Sequence, residues 1–104
     1  MQVERTYRLP DDEALARLRA LTDYWSAKYR VRAEWDGATA RISGKVRGVG
    51  FDGTVTVRDG RLSADIKAGF LAEKLGGKLY VERKLDDYLD PSRTIAELAA
   101  RVPR

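Results

Sequence analysis

The sequence predicts one small α+β domain, in which helices cover one face of a four-stranded antiparallel sheet. The first observation is that Asp36-Gly37 and Asp59-Gly60 each separate two stretches of alternating apolar and polar residues. Asp-Gly between such stretches is the strongest short-range signal for a β-hairpin. The second is that stretches 15–29 and 71–89 carry apolar residues at spacings of three and four, as amphipathic helices do. The expected order of elements is β-α-β-β-β-α followed by a short C-terminal helix.

The N-terminal stretch 2–9 alternates between apolar and polar residues and is expected to form the first strand. Pro10 ends this strand, and the carboxylates at 11–13 favour the start of a helix because they lie at the positive end of its dipole. The buried face of this helix is expected to contain the residues that recur at helical spacing, which are Leu15, Leu18, Thr22, Trp25 and Tyr29.

The two Asp-Gly pairs also predict the register of two hairpins. In the first, stretch 31–35 pairs with 38–46, and a two-residue loop places Trp35 opposite Ala38. In the second, 51–57 pairs with 62–68. The apolar residues of both hairpins fall on one side, so we expect a sheet with one dry and one wet face.

The C-terminal third is expected to be helical. A long helix is predicted from Gly69 to Asp90, with a break at Gly76-Gly77 and a short strand over 79–81 as the alternative. Thr94 and Glu97 have the spacing of a capping box, which predicts a last short helix. The chain has 104 residues, so we expect one domain over residues 1–90, with residues 91–104 as a short C-terminal helix or tail.

Composition excludes several kinds of chemistry. The chain contains no cysteine and no histidine, which removes disulfides, thiolate and imidazole metal sites, cysteine nucleophiles and Ser-His-Asp arrangements. We therefore expect a protein that is not an enzyme and has no catalytic residues, metal or cofactor. Neither a signal peptide nor an apolar run near the roughly 18 residues of a membrane span is visible, so the cytoplasm is the expected location.

A basic surface is one candidate binding site. The 20 basic residues are interspersed with 16 acidic ones, and the glycine-rich stretch 43–53 does not fit the phosphate-loop or dinucleotide templates. Because the wet face lacks aromatic residues that could stack on bases, nucleic acid is not the expected partner. The residues expected on this basic face are Arg41, Lys45, Arg47, Arg58, Arg61 and Lys67.

Two apolar candidates remain beside the basic face. Leu71, Leu75 and Leu79 share one face of the predicted C-terminal helix and serve either the core or an external hydrophobic surface. Trp25, Trp35 and Phe51 are either core residues or the lining of a ligand pocket between helix and sheet. The leucines are the candidate contact with a granule or partner, and the aromatic residues are the alternative ligand site.

Stretch 41–89 resembles the small polyhydroxyalkanoic acid system family, also called polyhydroxyalkanoate granule-region proteins. The resemblance lies in the glycine-spaced strand 48–57, in Asp65-Ile66-Lys67 and in the leucine-containing stretch 71–79, while the tail from Pro91 lies beyond it. It implies a bacterial cytoplasmic protein associated with storage-polyester metabolism or granules, in a family without an established activity or site residues.

We therefore expect a non-catalytic binding protein whose partners are a hydrophobic granule surface or granule proteins. A second copy of the chain is a further candidate partner, because a sheet has edge strands that can pair. The alternatives are a small carrier of hydrophobic ligands and a weak anion- or nucleic-acid-binding module.

Overall fold

The computed structural model describes residues 1–46, 48–68 and 76–103, which form an α+β fold with an antiparallel sheet. The chain begins with a strand and a long helix, continues through four strands joined in sequence, and ends with two helices. The strands are β1 (Gln2–Thr6), β2 (Arg32–Asp36), β3 (Thr39–Val46), β4 (Val49–Arg58) and β5 (Arg61–Ala68), and the helices are α1 (Asp11–Tyr29), α2 (Gly77–Tyr88) and α3 (Ile95–Ala99).

The sheet has five strands in the order β1-β5-β4-β3-β2, so the prediction of four strands is wrong by one. All five stretches that were individually predicted as strands form strands, so the error lies in the count, and the first strand, β1, lies beside β5. The edge of β5 that faces away from β4 would otherwise leave its backbone N–H and C=O groups unpaired. The element order among the described residues is therefore β-α-β-β-β-β-α-α.

The register of the second hairpin is confirmed, and that of the first is wrong by two residues. In the second hairpin Val57 lies opposite Leu62, and both turn residues, Asp59 and Gly60, have positive φ. In the first, Asp36 remains in β2 and only Gly37 has positive φ, so Trp35 lies opposite Ala40 instead of Ala38. A shift of two residues preserves the face on which each side chain lies.

Helix α1 begins at Asp11, as predicted, and lies on the dry face of the sheet. Leu18, Thr22 and Trp25 are buried, whereas Leu15 and Tyr29 are half-buried. The hydrophobic core fills the layer between the helices and the sheet. Its central members are Val3, Leu21, Ile42, Val55, Val57, Leu62, Ile66 and Leu85.

The described part of the C-terminal third forms two helices, α2 and α3. Residues 79–81 lie inside α2, so the alternative of a short strand there is wrong. Gly76, with a φ of 85°, immediately precedes α2, and the predicted part of the helix over 69–75 lies outside the described residues. The capping box of α3 is present, because Thr94 Oγ1 accepts from the Glu97 N–H and Glu97 accepts from the Thr94 N–H.

Candidate functional site

Helix α2 lies antiparallel to α1, and the two ends of their interface differ. Trp25 near the end of α1 contacts Tyr80 near the start of α2, while Arg17 near the start of α1 contacts the backbone of Tyr88 at the end of α2. We call the end at Arg17 and Tyr88 the closed end, and the end at Trp25 and Tyr80 the open end. The two ends have opposite structural properties.

At the closed end a buried guanidinium joins α1 to the C-terminal segment. Arg17 is 2% exposed. Its Nη1 donates to the carbonyls of Tyr88 at 3.1 Å and Asp90 at 2.8 Å, and its Nη2 donates to Glu13 at 3.2 Å and to the Arg93 carbonyl. A buried charge is tolerated only where such partners replace its water, and four oxygen acceptors do so here. Arg17 Nε and Tyr88 Oη are buried without a hydrogen-bond partner among the described residues.

Apolar side chains seal the same end. Leu85, Tyr88 and Leu98 are buried, and Leu98 brings α3 against α1. The carboxylate of Asp87 accepts hydrogen bonds from Arg93 and Arg101, and these lower the pKa of Asp87. The closed end therefore contains packed side chains and paired charges.

At the open end the helices and the sheet enclose an apolar cleft of about 400 Å³. This volume lies in the range of small-molecule sites, about 300–1,000 Å³. The cleft lies where α1, β3 and β5 end and where α2 and β4 begin. Its aliphatic lining includes Val31, Ile42, Val46, Val49, Ile66 and Val81.

Aromatic side chains line the same cleft. Phe51 lies beside Gly44, where an added Cβ would make an ordinary van der Waals contact with the ring at 3.5 Å. Trp25 donates its Nε1–H to Tyr80 Oη at 3.2 Å, and burial raises the pKa of Tyr80. Tyr29 also lines the cleft.

Two of the three aromatic residues predicted for a pocket therefore meet at the cleft. Trp25 and Phe51 both line it. Trp35 lies elsewhere, with its Nε1–H bonded to Thr22 Oγ1 at 3.2 Å and Arg19 over its ring at 5.8 Å. Trp35 lies near the end of β2 beside the turn at Gly37, whereas Val31, just before the start of β2, lines the cleft at the other end of the strand.

The predicted leucine stripe is described at one position only. Leu79 is 51% exposed on α2, next to Tyr80 at the cleft. Leu71 and Leu75 lie outside the described residues. At Leu79 the apolar side chain faces solvent and is not part of the core.

The opposite face of the sheet is polar over all five strands. Within the described residues it carries no aromatic side chain, and the predicted members of the basic face alternate with carboxylates; Arg47 lies outside the described residues. Its charged side chains are Arg32, Arg41, Lys45, Arg58, Arg61 and Lys67 together with Glu4, Glu34, Asp36, Asp52 and Asp65. The face is therefore mixed in charge and lacks the stacking platform of a single-strand-binding sheet.

A cluster of tyrosine and lysine lies at the rim of the cleft and was not predicted. Lys28 donates to Tyr24 Oη at 2.9 Å and lies 5.4 Å from the Tyr29 ring, while Lys84 lies 4.9 Å and 5.9 Å from the rings of Tyr24 and Tyr80. The signal was present in the sequence: each helix has a tyrosine four residues before a lysine, at 24 and 28 and at 80 and 84.

Other kinds of site find no support in residues 1–46, 48–68 and 76–103. These residues contain no group of three or more carboxylates that could hold a metal ion. None of the helices they form is both long enough and apolar enough to span a bilayer.

The fold and the cleft define a small α+β protein with one charged sheet face and one apolar, aromatic-lined opening. The family described as "Putative polyhydroxyalkanoic acid system protein" (PHA_gran_rgn) matches residues 1–92. The chain belongs to this family, which confirms the resemblance over 41–89 and extends it to β1 and α1. Comparisons with curated proteins and with solved structures found no match.

Proposed function

We propose that this protein is a non-catalytic binding protein of the polyhydroxyalkanoate system, and that its open end contacts the hydrophobic polyester of a storage granule. The observation that carries the proposal is the apolar cleft lined by Tyr80, which is 40% exposed, together with Leu79, the preceding residue of α2, which is 51% exposed. Large apolar side chains that remain exposed beside a concave apolar surface are typical of an interaction site.

The two faces of the sheet suit a position between polyester and water. Each methylene group buried from water contributes about 0.8 kcal/mol, so the cleft and Leu79 can provide attachment to an aliphatic polymer. The opposite face, with its alternating charges, remains solvated. A granule coated in this orientation presents charge to the surrounding water and stays dispersed.

The polar groups of the cleft support binding rather than catalysis. A nucleophile needs a neighbouring base, and among the described lining residues the hydroxyl groups are those of Tyr29 and Tyr80. Tyr80 accepts a hydrogen bond from Trp25, but burial raises its pKa and disfavours the phenolate. The cleft thus holds no activated nucleophile among its described side chains.

Co-sedimentation with polyhydroxybutyrate particles tests the proposal through a matched pair of variants. Leu79→Ser removes an exposed apolar group beside the cleft, and Ile95→Ser removes one that is 37% exposed on α3, at the closed end. We expect Leu79→Ser to weaken particle binding about tenfold, and Ile95→Ser to leave it unchanged. Equal losses for the two variants, or wild-type protein that stays in the supernatant, would contradict the proposal.

A soluble carrier of hydrophobic ligands is the second candidate function. It is favoured by the concave form of the cleft, which encloses about 400 Å³ between Trp25 and Phe51. A carrier would take up an aliphatic ligand in solution and would remain in the supernatant with particles present. The same sedimentation assay, repeated with added decanoate, separates the two functions. A granule-binding protein sediments with the particles, whereas a carrier stays in the supernatant and binds decanoate.

A further inference from the structure

The rim of the cleft carries positive charge that no carboxylate of the described residues pairs with. Lys28 and Lys84 lie on either side of Tyr24 and reach the rings of Tyr29 and Tyr80, both of which line the cleft. Within the described part of the chain neither ammonium forms an ion pair, whereas at the closed end Arg17, Arg93 and Arg101 all do. Among the described residues the open end therefore has a positive rim without paired carboxylates around an apolar interior.

The tyrosines of the rim hold the two ammonium groups in place without neutralising them. Lys28 is exposed and donates one N–H to Tyr24 Oη, so its other two protons remain available to a ligand. Because the Tyr24 oxygen accepts from Lys28, the hydroxyl proton of Tyr24 is also free to donate. The rings face the cations at 4.9 to 5.9 Å, a range in which cation–π attraction orients an ammonium group.

An apolar interior with a cationic, hydrogen-bond-donating rim is complementary to one class of molecule. We infer that the open end binds an aliphatic chain that ends in a carboxylate, with the chain in the cleft and the carboxylate against Lys28 and Lys84. This inference rests on the proposed function, since it uses the same cleft, and it specifies the ligand class. The carboxylate belongs either to a free aliphatic or hydroxy acid or to the chain end of the polyester.

The binding of decanoate and 1-decanol, compared below their aggregation concentrations, tests the inference. Trp25 reports on the cleft in a Trp35→Phe background, because Trp35 lies on β2 away from it. Hydrogen bonds to charged groups correspond to a preference of roughly ten- to a hundredfold, so we expect decanoate to bind at least tenfold more tightly than decanol. Each methylene added between octanoate and decanoate should tighten binding about fourfold.

Matched double variants distinguish the effect of the two rim charges on decanoate binding from an effect of the protein's net charge. Lys28→Gln/Lys84→Gln should reduce the preference for decanoate over decanol to near one while leaving decanol binding unchanged. Arg61→Gln/Lys67→Gln removes the same charge from the opposite face and should keep the preference. Thermal melting of both variants checks that they are folded.

The outcomes distinguish this inference from the proposed function. If decanol and particles bind but decanoate has no advantage, or if its advantage survives the lysine variant, the carboxylate site is wrong and the apolar contact stands. If neither amphiphile nor particles bind, both proposals fail. Particles whose chain ends are methyl-esterified show where the bound carboxylate comes from. If the protein sediments less with these particles than with particles that have free chain ends, the carboxylate is that of the polymer. If it sediments equally with both and binds decanoate tightly, the carboxylate is that of a free acid.

Discussion

The two ends of the α1–α2 interface are built from similar residue types and use them in opposite ways. At the closed end, arginine is buried against backbone carbonyls and leucine is fully buried. At the open end, lysine lies at a rim and Leu79 faces solvent. The comparison shows that one interface can supply the stability of a small domain at one end and leave apolar surface available at the other.

The largest expected effect is that of removing Arg17 at the closed end. We call its hydrogen bonds to the carbonyls of the C-terminal segment the Arg17 clamp. Arg17→Ala leaves the carbonyls of Tyr88 and Asp90 buried without their donor, so we expect the free energy of unfolding to fall by about 3–5 kcal/mol. Arg19→Ala, two residues along α1 and exposed, should cost under about 1 kcal/mol. Urea unfolding measures both, and similar losses would show that the clamp is not a special feature.

A leucine pair compares the two ends with one substitution. Leu98 is 0% exposed and Leu79 is 51% exposed. We expect Leu98→Ala to cost about 2–5 kcal/mol and Leu79→Ala well under 1 kcal/mol, with particle binding weakened only in the second variant. Thermal melting and sedimentation measure the two effects. A large drop in melting temperature for Leu79→Ala would place that leucine in the core and contradict the open end.

Acid titration examines the ion pairs of the closed end. Arg101 and then Arg93 lower the folded-state pKa of Asp87 below its ordinary value of 3.8. A lowered folded-state pKa contributes stability that is present above the ordinary value and is lost as the pH falls below it. We expect Asp87→Asn to cost about 1 kcal/mol at pH 7 and to flatten the loss of stability below about pH 4. Asp23→Asn on α1 is the control, and a change of the same size there would refute the assignment.

Alkaline titration examines the contact between α1 and the second hairpin. Tyr7 donates to Asp11 at 2.6 Å, and Asp11 also accepts from the N–H groups of Asp59 and Gly60. Burial, followed by this hydrogen bond, raises the pKa of Tyr7 to about 12. A raised pKa means that the contribution of Tyr7 to stability is complete below pH 10 and is lost as the pH rises toward 12.

Tyr7→Phe should therefore cost about 1 kcal/mol at pH 8 and lose less additional stability than the wild type between pH 10 and 12. Unfolding in urea at pH 8 and at pH 11 provides the comparison. If the wild type and Tyr7→Phe lose the same amount of stability between pH 8 and pH 11, Tyr7 does not titrate as described.

The smallest effect is expected on the charged sheet face. Arg41→Gln and Arg58→Gln should each change the free energy of unfolding by less than about 0.5 kcal/mol and leave particle sedimentation unchanged, because both side chains are exposed. Nucleic acid should bind weakly and lose affinity with salt. Tight binding at physiological salt that requires Arg41 and Arg58 would move the functional site to this face.

Whether the sequence predicted a feature depended on how far apart along the chain the interacting residues lie. The turn at Asp59-Gly60 is local, and its register was correct. The burial of Arg17 was not predictable, because its partners lie more than 70 residues away and arginine is ordinarily exposed. The rim needed the same long-range information: each Tyr and Lys pair is visible within its helix, but only the packing of α1 on α2 places Lys28 and Lys84 around Tyr24.

The Arg17 clamp also has a consequence for the order of folding. The hairpins over 32–68 close through neighbours in sequence, whereas Arg17 finds its carbonyls only at 88–93 and β1 pairs only with β5. Loop closure makes contacts between distant residues slow to form. During synthesis β1 therefore has no strand to pair with until β5 has been made, and Arg17 lacks its carbonyl partners until residues 88–93 have been made. The hairpins would be complete by then, and they offer β1 and α1 a template that is already assembled.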